Sequence, residues 1–222
     1  KLINDLNKQL GTDKIHFYPG VSYRHLLVFN GLDFKVQTFP PHDYIGTPIE
    51  KILPRGKGEE LLIEMMARSQ QLFANTDINK IRKDLGENQV SSIWLWGQGV
   101  KAKMESFEKR FGLKGVTITA VDLARGLSLL IGFDLIDVPG ATGFVDTNYQ
   151  GKAAAAIDAL NKYDIVLVHI EAPDEAGHSG NAEMKKKAVE RIDKFIVGPV
   201  YEAMKKFPSW RILVAPDHPT PV

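Results

Sequence analysis

The stretch that most constrains this chain is residues 163–178, YDIVLVHIEAPDEAGH. Residues 165–170 are an almost unbroken apolar, β-branched run, which predicts a strand buried on both faces, as in a parallel sheet. Just past its end come Glu171, Asp174, Glu175 and His178. Open α/β sheets carry their chemistry at the carboxyl ends of the strands. Asp174 and His178 stand four apart, beside Pro173 and Gly177, a composition that suits a bent loop. A carboxylate and an imidazole brought together in this way make a good pair of donors for a divalent metal. Taken alone, the pair reads equally as part of a solvated loop.

A second copy of the arrangement shifts the balance. Residues 211–215 (RILVA) form another short buried-strand pattern that runs into Pro216, Asp217, His218 and Pro219. A plain turn is the alternative for Asp217 and His218, since Asp and Pro both favour turns. Two apolar strands, each ending in an Asp and a His, argue instead that both pairs bind metal.

Composition narrows the remaining classes. The 222 residues suffice for one large domain or a domain with an insert. A hydrophobic content of 44% and a charged content of 25% are ordinary for a soluble globular protein. The net charge of +1 offers no bulk attraction for nucleic acid or an anionic membrane. No apolar run approaches the roughly 20 residues of a membrane span. With no cysteine, a metal must be held by Asp, Glu, His or hydroxyl groups, and a reducing cytoplasm is the expected location. No leader segment is visible, and a chain beginning at Lys1 is expected to lack its true start.

Along the chain, residues 2–10 predict an amphipathic helix stopped by Gly11. Residues 15–18, Pro19-Gly20 and residues 23–29 read as strand, turn, strand. Asn30-Gly31 is a hairpin signal leading into alternating apolar positions over residues 34–39. Residues 59–73 form a helix with Leu62, Met65, Met66, Leu72 and Phe73 on one stripe. From Val90 the texture becomes α/β, with strands over 90–96, 116–121, 135–138, 165–170 and 211–215. Between them lie helices over 123–131, 151–161 and 183–206, the last broken or kinked at Gly198-Pro199. Strands alternating with helices argue a parallel sheet with helices on its faces.

Other residues carry weaker chemistry. The loops Gly97-Gln98-Gly99 and residues 139–143 could approach a phosphate, yet neither matches a nucleotide fingerprint and plain turns explain them. Arg24 and His25 form a basic pair on an edge strand, and Arg is well shaped to grip phosphate. His42-Asp43 lies in the same first module. Lys152, at a helix start, is read as a phosphate contact or an exposed cation. Trp94 and Trp96 suit strand packing, His169 a core position with a satisfied hydrogen bond, and Lys185-Lys186-Lys187 a solvated helix face.

With both Asp–His pairs placed, the chain resembles the cofactor-independent phosphoglycerate mutases of the archaeal type, within the alkaline phosphatase superfamily. The resemblance rests on residues 17–25 (FYPGVSYRH), 93–99 (IWLWGQG), 138–143 with 146–149 and Gly151-Lys152, 171–178 (EAPDEAGH) and 217–221 (DHPTP). It runs over nearly the whole chain, but members of the family are about twice as long, consistent with two full domains. The resemblance therefore implies a middle section. It implies an α/β core of alkaline phosphatase type, a parallel sheet with helices on both faces, and a small α+β inserted cap at the N-terminal end. Residues 1–75 would belong to the substrate-covering cap and residues 76–222 to the metal-binding core.

The resemblance also assigns roles. Asp174 and His178 would bind one divalent ion and Asp217 and His218 another. The ions would be Mn²⁺, with Zn²⁺, Mg²⁺ or Co²⁺ as alternatives. The nucleophilic Ser, one Asp ligand and one His ligand would lie outside the chain. Arg24, His25 and Lys152 would contact the phosphate of a small phosphorylated metabolite, phosphoglycerate. Metal-activated serine would take the phosphoryl group from 3-phosphoglycerate and return it to the 2-position, with the cap limiting hydrolysis. A homoserine kinase-like phosphotransferase, a metallophosphatase and a non-catalytic phosphometabolite-binding domain are the competing readings. Each ion would have only two protein ligands in this chain, so the piece by itself is expected to be inactive and metal-poor.

Overall fold

The computed structural model describes residues 1–20 and 25–222. It divides into two compact units, Lys1–Lys101 and Ala102–Val222. The segment that follows the first unit's helices packs back onto them.

In the first unit, α1 (Leu2–Leu10) leads into an antiparallel pair, β1 (Ile15–Tyr18) and β2 (Leu26–Phe29), with Ile15 opposite Phe29. Leu6, Leu10, Ile15, Phe17, Met65 and Phe73 form its core. The turn signal at Asn30-Gly31 is real, and Gly31 takes a left-handed φ of 69°. It does not make the expected hairpin. The next strand, β3 (Lys35–Gln37), pairs with β4 (Arg55–Lys57) instead of with β2. The stripe on α2 (Glu59–Ala74) is as expected, with Leu62, Met65, Met66 and Phe73 buried. A shorter helix, α3 (Asp77–Asp84), is capped by the Thr76 hydroxyl.

Residues 90–96 make no strand ladder, contrary to the sequence expectation. Side chains satisfy this backbone instead. Asn79 Oδ1 accepts from Val90 N at 2.8 Å, and Asn79 Nδ2 donates to Val90 O at 2.7 Å and Phe73 O at 2.9 Å. Ser69 Oγ accepts from Ile93 N at 3.0 Å, and Trp94 Nε1 donates to Phe39 O at 2.8 Å. Buried backbone groups must be paired, and side-chain partners meet that need as well as a strand does.

The second unit is the α/β one. After α4 (Phe107–Phe111) comes β5 (Gly115–Ile118), buried at every position. Then α5 (Asp122–Leu130) leads to β6 (Asp134–Leu135), and α6 (Tyr149–Ala159) leads to β7 (Ile165–Val168). The order is β6-β5-β7, all parallel. One crossover moves to one side of β5 and the next returns to the other side. Right-handed connections in opposite directions put their helices on opposite faces. Side chains agree: Ser128 of α5 donates to the Thr117 hydroxyl, while Val168, one register step on, packs with Tyr149 and Ala153 of α6.

Two strand expectations are corrected here. The strand at 165–168 is an edge of the sheet, with Leu167 47% exposed, so β5 and not β7 is the doubly buried strand. Residues 211–215 form no ladder, and Leu213 is 88% exposed. β-propensity is expressed only where a neighbouring strand and a packing face receive the residues.

Past β7 follow α7 (Ala172–His178), α8 (Ala182–Ile192), a π-helical turn at Asp193–Val197 and α9 (Gly198–Met204). The break expected at Gly198-Pro199 takes the form of that π turn, since Pro199 has no N–H to continue the α ladder. Among the described residues no helix is long and apolar enough to cross a membrane.

Asn79 is the polar hinge of the first unit, at 3% exposure. Asn79→Ala leaves Val90 N and O without their partners. It should destabilise the protein by about 2 kcal/mol in a urea titration, the cost of orphaned buried groups.

Candidate functional site

The segment expected as a bent loop after β7 is a helix. Pro173 falls in the first turn of α7, where a missing N–H costs nothing and the fixed φ favours helix. Helical spacing puts Asp174 and His178 on one face. His178 Nε2 lies 3.3 Å from Asp174 Oδ2. Asp174 is the sheltered partner, its side chain 21% exposed against 67% for His178.

The second pair is held locally. His218 Nε2 stands 3.5 Å from Asp217 Oδ2, and Asp217 Oδ1 accepts from His218 N at 2.9 Å. The two pairs come together through Thr220. Its hydroxyl donates to Asp174 Oδ1 and lies 3.3 Å from His218 Nδ1. Lys185 Nζ donates to the Thr220 carbonyl, so one member of the lysine run expected to be a solvated face is engaged here. Gly177 makes this approach possible: a Cβ there would lie 2.9 Å from both Thr220 Cγ2 and Thr220 O.

At the carboxyl ends of β5 and β7 lies a partly buried polar network that sequence reasoning read only in part. Thr119, just past β5, faces His169, just past β7, with Oγ1 and Nδ1 3.1 Å apart. The other ring nitrogen, Nε2, is 3.2 Å from Glu171 Oε2. His169 is therefore satisfied, as expected for a core histidine. Lys152 is 1% exposed, and its Nζ donates to His169 O at 3.0 Å. Burial pushes the Lys152 ammonium below its ordinary 10.5, and the nearby Glu171 carboxylate opposes that shift. Lys152 is not the exposed cation that the sequence allowed, because its ammonium faces inward. The signal available in the sequence was the Ala153–Ala156 run beside it, which marks this turn of α6 as a tightly packed face.

Arg24 lies outside the described residues. His25 is exposed, its Nδ1 accepting from Gly20 N at 3.1 Å. His42 and Asp43 form an exposed pair at 3.6 Å, and such pairs add little stability. The glycine loop at 139–143 is a turn stapled by Asn148, whose N donates to Gly140 O and whose Nδ2 donates to Pro139 O. Gln98 accepts from the Thr38 hydroxyl.

Among the described residues no three His, Asp or Glu side chains converge on one point. Each Asp–His pair nonetheless offers a carboxylate oxygen and an imidazole nitrogen within a few ångströms of one another. This donor set fits a divalent ion of the Mn²⁺, Zn²⁺ or Co²⁺ kind, with further ligands needed to complete its shell.

Comparison with known proteins points the same way. The Metalloenzyme superfamily matches residues 20–222. The chain is 49% identical over 222 residues to a probable 2,3-bisphosphoglycerate-independent phosphoglycerate mutase of Geobacter sulfurreducens. It is 49% identical over 223 residues to the 2,3-bisphosphoglycerate-independent phosphoglycerate mutase of Methanosarcina mazei. In both cases all of this chain aligns with 56% of the relative, so it spans about half their length. A solved cofactor-independent phosphoglycerate mutase from Thermoplasma acidophilum shares the fold, with a TM-score of 0.57 and 24% identity over 94% of this chain and 53% of that one.

Lys152 generates a pH prediction. With its folded-state value below 10.5, the unfolded chain binds more protons in the interval between the two values. Stability therefore rises with pH there, by about 1.4 kcal/mol for each unit of depression. The unfolding free energy of the native protein relative to Lys152→Met should climb across that interval in denaturant titrations run up to pH 10.5. A flat difference would mean the ammonium is solvated.

Proposed function

The chain belongs to the Metalloenzyme superfamily, and from that premise we propose that it is a section of a 2,3-bisphosphoglycerate-independent phosphoglycerate mutase. In this reading residues 1–75 are part of an inserted cap and residues 76–222 part of the metal-binding core. Arg24 and His25 keep their proposed place as contacts to the substrate phosphate. The observation that carries the reading is the meeting of the two Asp–His pairs at one threonine hydroxyl, each pair offering hard oxygen and imidazole donors. The 49% identity to enzymes of that name supports it.

Asp174 and His178 would hold one ion and Asp217 and His218 the other, with Mn²⁺ as the proposed metal. Bound there, two divalent ions would activate a hydroxyl nucleophile and neutralise charge developing on phosphoryl oxygens. The chain's own residues supply the frame. Lys152 fixes the end of β7 through the His169 carbonyl and so sets where α7 begins. Glu171 orients the His169 ring, and Thr119 holds its other nitrogen. The α7 helix then presents Asp174 and His178 together, with Asp174 partly sheltered from water. Shelter strengthens a carboxylate's hold on a cation, because the local dielectric is lower than that of bulk water.

The test uses the full-length protein with Mn²⁺ and 3-phosphoglycerate, followed by phosphorus NMR. Formation of 2-phosphoglycerate without added 2,3-bisphosphoglycerate is expected, and Asp174→Ala and Asp217→Ala should each reduce it to background. Release of inorganic phosphate, or phosphorylation of homoserine from ATP with no isomerisation, would overturn the assignment. The 222-residue chain alone should bind Mn²⁺ weakly and show no turnover.

A further inference from the structure

The DHPTP segment carries one residue beyond the two metal-binding candidates whose geometry calls for a role. Thr220 is half-buried, while Asp217 and His218 are exposed. Its hydroxyl donates to Asp174 Oδ1 and stands within hydrogen-bond reach of His218 Nδ1 at 3.3 Å. A hydroxyl has one proton to give and lone pairs to receive. It can therefore donate to the carboxylate and accept from an Nδ1–H at the same time. In that arrangement the imidazole carries its proton on Nδ1 and leaves Nε2, the atom facing Asp217, free to act as a donor to a cation. On Asp174 the bond engages Oδ1 and leaves Oδ2, the oxygen facing His178 Nε2.

The rest of the residue is anchored separately. The Thr220 carbonyl accepts from Lys185 Nζ of α8, and the Thr220 methyl and carbonyl occupy the space that a side chain at Gly177 of α7 would need. The hydroxyl is thus held in place by contacts that do not involve either pair.

We propose that Thr220 is a positioning residue that couples the two Asp–His pairs, orienting the Asp174 carboxylate and, with the Pro219 carbonyl 3.4 Å from Nδ1, holding His218 in its Nδ1–H tautomer. The proposal rests on the two-metal reading above. One hydroxyl touches one member of each pair, so loss of that hydroxyl disturbs both ion sites, although Thr220 contributes a ligand to neither. Groups that orient ligands from behind in this way change metal affinity by about 10- to 100-fold when removed.

The test compares the full-length protein with Thr220→Val, which keeps the branched shape, and Thr220→Ser, which keeps the hydroxyl. Titration calorimetry with Mn²⁺ should show about tenfold weaker binding at both sites in T220V, and restoration in T220S, with the melting temperature of the metal-free protein little changed. Hydrogen exchange of metal-free protein over residues 216–222 should be faster in T220V and normal in T220S. Unchanged Mn²⁺ affinity in T220V, weakening confined to one site, or a lowered melting temperature with normal affinity would each overturn the proposal. Normal Mn²⁺ binding and a clear Thr220 effect, in a protein that does not isomerise phosphoglycerate, would remove the mutase assignment and leave Thr220's role standing. A native protein that binds no Mn²⁺ would remove both.

Discussion

Lys152 sits in the first turn of α6 with its ammonium almost completely out of water. A cation at that depth must be paired or hydrogen-bonded, or it gives up its charge. The structure meets the requirement with two groups from the end of β7, the His169 carbonyl and the nearby Glu171 carboxylate. That one requirement ties α6 to the carboxyl end of the strand. It also settles the orientation of His169, whose ring is then spanned between Thr119 and Glu171. The beginning of α7 follows directly, and with it the place of Asp174.

From α7 outward the contacts are short-range and steric. Ala172 is buried against neighbouring helices, Ala176 is buried as well, and Gly177 leaves room for a passing backbone. Small residues on that face allow the DHPTP segment to lie directly on the helix. A larger side chain would separate the two Asp–His pairs. Gly115 serves the same purpose at the start of β5, where a Cβ would meet the Phe133 ring at 2.2 Å. In both places the identity of a glycine is dictated by what must approach it, without any need for an unusual φ.

Much of the architecture was legible in the residues themselves. The α1 stripe, the α2 stripe, the β1–β2 pair and the alternation of strand and helix after residue 115 all follow from local periodicity. The two Asp–His pairs were also visible in the residues themselves, although only the first follows a strand, since residues 211–215 form none. What misled was apolar content read as pairing. Residues 90–96 and 211–215 have the composition of strands, yet the first satisfies its backbone on Asn79 and Ser69 and the second finds no ladder. Likewise Pro173 and Gly177 read as loop formers, although a proline in a first helical turn and a glycine under a crossing segment both belong in a helix.

The sequence by itself determined which groups are available and where the strongly periodic helices run, because periodicity and side-chain type act over a single turn or strand. Only the tertiary structure decided that Lys152 faces inward, that Thr220 joins Asp174 to His218, and that β5 rather than β7 is the covered strand. The reason is physical. Burial and hydrogen-bond partnership are set by groups distant in the chain, as with Thr220 and Asp174, which lie 46 residues apart and are joined by one hydrogen bond.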